Sequence, residues 1–191
     1  MDIQKVLAKI DEINSKDPNI EQLDTKSYPK EVLYSRRMTE MLNEFVTSPS
    51  VSLQVASRGQ HIQRWAIPRS DYSMNKKGYM KWRTVLKTYH AELLSDLLEG
   101  EGAEQSVVDQ VRLLISKRKL KTDLESKTLE DVICLVFLKY YFAGFAKKHD
   151  EEKIIDIVRK TWAKMTEDGH TAALKLPFGD VELSLVKKAL G

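Results

Sequence analysis

The stretch VICLVFLKYYFAGFA, residues 132–146, decides the fold. It is the longest apolar run in the chain, yet Lys139 interrupts it and it falls short of the ~20 apolar residues a bilayer span requires. It therefore reads as the central buried helix of a bundle, opened by Thr128 and continuing to about Lys147. Outward from it, helical spacing recurs almost everywhere. Val107, Val111, Leu114 and Ile115 mark one neighbour, residues 151–165 another, and Val181, Leu185, Val186 and Leu190 a short last helix.

Toward the amino terminus, Val6, Ile10 and Ile13 give a first helix over residues 1–15, ended by Asp17 and Pro18. Pro29 sits where a second begins, and it stops near Ser48 and Pro49. A third is expected from about Ser50 to Trp65, with Val55, Gly59, Ile62 and Ala66 as a close-packing stripe, terminated by Pro68. A polar loop leads into a long fourth helix, from about Gly78 to Leu98, with Gly100 and Gly102 at its end. No segment reads as a strand, and there is neither a repeat nor low complexity. The expected fold is all-α: a single-domain helical bundle over residues 1–191 with about seven or eight helices.

Composition supports a folded domain. Of the 191 residues 42% are hydrophobic and 31% charged, with eight Gly and five Pro, unlike a disordered chain. The net charge of +3, from 31 basic and 28 acidic residues, is too balanced for a general nucleic-acid or membrane surface. Any anion site must be local. Cys134 is the only cysteine and lies in the apolar run, which excludes a disulfide framework and predicts a buried thiol in a reducing, cytoplasmic setting. Residues 1–10 alternate charged and apolar side chains and lack the apolar core of a secretory signal.

Polar side chains that could carry chemistry fall in three places. The densest is QHIQRWAIPR, residues 60–69, where Gln60, His61, Arg64, Trp65 and Arg69 crowd the end of one helix and its exit loop. On a continuous helix Arg58, His61 and Trp65 share a side. The forked donors of Arg64 and Arg69 match carboxylate or phosphate oxygens, so an anionic ligand is the natural complement; the alternative is surface arginines paired with acids and a tryptophan closing the core. The second place is the fourth helix, with Tyr79, Trp82, Arg83, Lys87 and His90. His90 is either a core residue or, with His61 on a facing helix, part of a divalent transition-metal site.

The third place is Glu130 and Asp131, entering the most apolar helix. Thr128 to Asp131 has the spacing of a capping box, which would occupy the acid structurally. Otherwise Asp131 joins the two histidines around a metal or positions a base. Lys117, Arg118, Lys119 and Lys121 form a basic connection that either is solvated or rims the anion site. P-loop, GxGxxG, CxxC, HExxH and GxSxG patterns are absent, which disfavours nucleotide hydrolysis by a P-loop, dinucleotide redox chemistry and serine hydrolysis.

The segments at residues 60–69, Gly78 to Arg83 (GYMKWR), His90-Ala91, Leu129 to Val132 (LEDV) and Lys160 to Met165 (KTWAKM) together resemble the DUF4202 family over nearly the whole chain. More distantly, the order of the segments holding His61, His90 and Glu130-Asp131 resembles HD-domain metal-dependent phosphohydrolases. Gln60-His61 stands where those proteins have a histidine-aspartate pair, and Ser35 or Arg36 where their first histidine would lie.

That resemblance implies an HD-like bundle and a hydrolase acting on a small phosphorylated or otherwise anionic ligand. Gln60, Arg64, Trp65, Arg69, Tyr79, Trp82, Arg83, Lys117 and Lys121 would bind the ligand. His61, His90, Asp131 and Glu130 would be catalytic, with His61, His90 and Asp131 holding a divalent transition metal. Two rivals use the same residues: a non-catalytic module binding an anion or a partner's acidic segment, and an iron-dependent oxidase or oxygenase. Nucleic acid and membrane are not expected partners, and oligomeric state is not readable from helical period.

Overall fold

In a computed structural model of the protein, which describes residues 1–119 and 122–191, the chain is all-α apart from one small hairpin. Ten α-helices are present among the described residues, where the spacing of apolar residues anticipates seven or eight. The chain divides into two compact units, Met1–Thr122 and Asp123–Gly191.

In the first unit α1, Ile3–Asn14, is capped by Asp2, which accepts from the Gln4 amide, and it buries Val6, Ile10 and Asn14. An antiparallel hairpin follows: β1, Ile20–Leu23, pairs with β2, Lys26–Pro29, through a tight turn in which Asp24 takes φ 54°. This segment corrects the expectation of a strandless chain. Asp tolerates the left-handed turn, and backbone pairing rather than burial makes the strands, since their side chains are exposed or half-buried.

Helix α2, Lys30–Phe45, starts directly after Pro29, and the Asp17 carboxylate accepts from the Glu31 amide at 3.0 Å in its first turn. Helix α3, Val51–Arg58, begins at the Ser50 cap and stops at Gly59, well before the expected Trp65. A Cβ at Gly59 would lie 2.6 Å from Leu94 Cδ2, so only glycine allows this approach to the next helix. Beyond it Gln63 adopts φ 51°, and Arg64–Ala66 and Arg69–Asp71 form single 3-10 turns. Helix α4, Lys76–Gly100, is capped by Asn75 and packs against α5, Gln105–Ser116; α3 also packs on α5.

The second unit begins with α6, Leu124–Val136, whose N-cap is Asp123, accepting from the Ser126 amide at 2.7 Å. The capping box expected at Thr128 to Asp131 is therefore absent: the helix starts four residues earlier, and Asp131 lies inside it. One π turn, Phe137–Tyr141, separates α6 from α7, Phe142–Ala146, so the long apolar helix is not continuous. Helices α8, Glu151–Trp162, α9, Glu167–Ala173, and α10, Asp180–Leu190, complete the unit. Leu129, Val132, Leu135, Phe142, Val158 and Val186 are buried in its core, and Cys134 is a buried thiol. Among the described residues no helix is long and apolar enough to cross a membrane.

Candidate functional site

The break after α3 determines where the conspicuous polar residues go. Had the helix continued, Arg58, His61 and Trp65 would share a face; instead Arg58 pairs through both nitrogens with the Asp11 carboxylate of α1, its Nε at 2.7 Å. The left-handed Gln63 is held on both sides: Asn14 Oδ1 accepts from its amide at 3.0 Å, and Tyr89 donates to its Oε1 at 2.7 Å. Asn14 is fully buried and also donates to Ser35. With this corner fixed, His61 stacks on Tyr34 of α2, ring centroids 4.2 Å apart, and lies 6.3 Å from the His90 ring of α4.

Three groups then form a chain. Arg64 Nη1 is 2.7 Å from His61 Nε2. A guanidinium only donates, so Nε2 must accept and the imidazole proton sits on Nδ1. Nδ1 in turn lies 3.3 Å from Glu31 Oε2, without the alignment of a hydrogen bond. Burial raises the Glu31 pKa to about 7 against the opposing pull of Arg64. Burial, then the Arg64 and Lys117 charges, hold His61 well below its usual range, so it is neutral at pH 7. His90 is 3% exposed and is pushed down to about 3 by burial, then by His61 and Arg64. The Ile62 main chain favours its charged form but offers no bond of hydrogen-bond geometry.

This corner surrounds a small pocket of about 50 Å³, lined by Gln60, His61, Arg64, Arg83, Leu86, Lys87, His90, Ile115 and Lys117. It has room for a few waters or one oxyanion group. Around it Gln60 Oε1, Glu31 Oε2 and both His90 ring nitrogens are buried without a hydrogen-bond partner. Each such group costs roughly 1–3 kcal/mol, and four together are unusual for a site that is only scaffold.

The remaining expected residues divide by role. Gln60, His61, Arg64, Arg83, His90 and Lys117 come together at the pocket. Trp82 is buried, donates from Nε1 to Ile67 O at 2.8 Å, and lies under the Arg64 guanidinium at 4.8 Å. Its ring thus holds Arg64 in place. Arg69 donates to the Tyr72 and Ser73 carbonyls at 2.8 and 2.7 Å and clamps its own loop. Tyr79 is exposed and carries Arg69 and Arg83 over its ring at 5.9 and 5.8 Å. Trp65 is half-buried in a 3-10 turn, and Lys121 lies outside the described residues.

Asp131 and Glu130 belong to the second unit. Asp131, 1% exposed, accepts from Thr166 N at 2.8 Å and Thr166 Oγ1 at 2.6 Å, anchoring the start of α9. Burial raises its pKa, and the Thr166 hydrogen bonds oppose that rise. Glu130 is buried with Lys164 Nζ at 4.0 Å. Side chains so placed do not fit a metal: His61 Nε2 faces a guanidinium, and both Asp131 oxygens are taken. Among the described residues no group of three or more His, Cys, Asp or Glu is arranged to hold a metal ion.

Glu31 is the site residue that sequence alone does not reveal. An acid in the first turn of an amphipathic helix looks like an ordinary partner of the helix dipole. Lys87 is legible only as a member of the basic stripe on α4. No curated protein and no solved structure matches the chain. Residues 4–186, spanning both units, match the family described as "Domain of unknown function (DUF4202)", and the chain belongs to that family.

Proposed function

We propose that the first unit binds the oxyanion of a small phosphorylated ligand in the pocket at His61 and His90, and hydrolyses its phosphate ester there. One observation carries this reading: buried polar atoms without partners surround a pocket whose lining includes Arg64, Arg83, Lys87 and Lys117. Arginine forks match phosphoryl oxygens and stabilise charge that develops on them. A reducing cytoplasmic setting suits the lone buried Cys134.

The chemistry uses the chain's own groups. An incoming phosphate draws Arg64 from His61 Nε2, and its charge offsets the cations that hold the imidazole pKa down. Nε2 then takes a proton from the water that attacks phosphorus, while Glu31 faces the Nδ1–H. The new O–P bond forms as the ester P–O bond breaks, the departing alkoxide takes a proton from solvent water, and the imidazolium later returns its proton to solvent. Glu31, beside Nδ1 and with a pKa near 7, stabilises the imidazolium as it forms.

The second reading is a binding module without catalysis, favoured by Arg64, which as placed covers His61 Nε2 at 2.7 Å. Phosphate release from a panel of phosphate monoesters, alongside calorimetric binding, separates the two. Release that falls at least ~100-fold in His61→Gln supports hydrolysis. Binding without release selects the module. Absence of both, with Arg83→Ala indistinguishable from the parent, overturns the anion site.

A further inference from the structure

The pocket lining holds two kinds of polar group, and the difference specifies the ligand. Its half-buried lining is cationic, with Arg64, Arg83, Lys87 and Lys117. Among its buried residues Leu86 and Ile115 are apolar, and the buried polar atoms are the ring nitrogens of His90 and the Oε1 of the half-buried Gln60. His90 has both ring nitrogens without a partner, and so has Gln60 Oε1.

A neutral imidazole offers one donor and one acceptor, and an amide oxygen accepts only. These buried atoms therefore present two acceptors and one donor. A bare oxyanion carries acceptors alone: it satisfies the cations and the His90 N–H but leaves the other two atoms unpaired. A donor beside the oxyanion satisfies those atoms, and one carried by the ligand does so in place of a bound water. A neutral hydroxyl meets the requirement. An ammonium would sit among four cations, and among the described residues no Asp or Glu lines the pocket.

Resting on the anion-binding reading above, we infer that the pocket takes a hydroxylated phosphate monoester, the class of small polyol and sugar phosphates. The phosphate lies against the arginines and lysines, and an adjacent hydroxyl donates to Gln60 Oε1. The space of about 50 Å³ admits only this end of the molecule, so the rest of the ligand extends past the half-buried Arg83 and Lys87.

Three probes test this on the full chain by calorimetry: ethyl phosphate, 2-hydroxyethyl phosphate and 2-aminoethyl phosphate. The hydroxyl compound is expected to bind roughly tenfold or more tighter than the ethyl compound, as one buried hydrogen bond predicts. The amino compound should be the weaker of the two polar probes. Gln60→Leu should bring the hydroxyl and ethyl affinities within about threefold while ethyl phosphate binding persists. Equal affinity for the hydroxyl and ethyl compounds in the parent chain overturns this inference and leaves the anion site standing. Tighter binding of the amino compound overturns the neutral donor. No binding of any of the three overturns the anion site itself. The comparison within the parent chain decides the matter even if Gln60→Leu fails to fold.

Discussion

Replacing His90 by leucine should make the protein relatively more resistant to acid, and the size of the effect follows from where the proton goes. In the unfolded chain the imidazole takes a proton near its ordinary value of 6.5, but in the fold it does so only near 3. Between those values the unfolded state holds one more proton, so the folded state loses stability as pH falls through that window. At pH 5 the loss is about 2 kcal/mol relative to pH 8. Glu31 acts in the opposite sense. Its carboxyl stays protonated in the fold up to about 7 against an ordinary value of 4.5, so folding gains stability as pH falls from 7 toward 4.5. That gain is about 2.5 kcal/mol at pH 5 on the same scale.

The parent chain should therefore show little net dependence from this pair. His90→Leu should reveal the Glu31 gain and become more stable at pH 5, relative to pH 8, by about 2 kcal/mol compared with the parent. Glu31→Gln should reveal the His90 loss by a similar amount of opposite sign. His61 is common to all three chains, so its own titration drops out of the differences to first order. Urea unfolding at the two pH values, followed by fluorescence of the three tryptophans, measures these differences. If His90→Leu and the parent respond identically between pH 8 and pH 5, His90 is not held neutral by burial and the site's electrostatics have been misread.

Three further substitutions test the scaffold. Asn14→Ala removes the acceptor for the left-handed Gln63 amide and the donor to Ser35, and should cost roughly 1–3 kcal/mol; phosphate affinity should fall as well, because Arg64 follows Gln63. Gly59→Ala places a Cβ 2.6 Å from Leu94 Cδ2 and should cost about 1–3 kcal/mol, with Leu94→Ala in the same chain giving a total smaller than the sum of the two changes. Simple additivity in the urea midpoints would refute that contact. Asp131→Ala strips both acceptors from Thr166 and should cost about 2 kcal/mol, whereas Asp131→Asn, which keeps one acceptor, should cost less. Equal losses in thermal melts would show that the Thr166 bonds are not what the carboxylate supplies.

The helices were legible wherever one face is buried and the other is not. In α8, Ile154 and Val158 are buried while Glu151 and Glu152 are exposed, and the period is plain. The hairpin escaped because its strands bury almost nothing, so no alternation of apolar and polar residues announces them. The end of α3 was misplaced for a different reason. Ile62 is fully buried at the spacing a continuing helix would give, although the helix stops at Gly59 and the chain turns on Gln63. Burial at position 62 imitates a period that the backbone has abandoned. At Thr128 the capping pattern was matched by residue type, but Asp123 lies one turn earlier and takes the helix start.

That abandoned period also explains why the site could be recognised by its residues and not by its geometry. A continuous helix through position 65 would set His61 one turn beyond Arg58, whose partner is Asp11 on α1. The break at Gly59 replaces α-helical pairing with tighter turn bonds, Ile62 N to Gly59 O at 3.0 Å and Arg64 N to His61 O at 3.1 Å, and places Gln63 in a left-handed conformation unfavourable by about 1 kcal/mol. In exchange His61 stacks on Tyr34, faces Glu31 and receives Arg64, which the Trp82 ring supports from below. Asn14, Tyr89 and Trp82 each spend a hydrogen bond on this corner, from α1 and from α4. Two helices thus hold in place a corner around which four buried polar atoms have no protein partner, a combination that lowers stability and that the proposed ligand would relieve by supplying those partners.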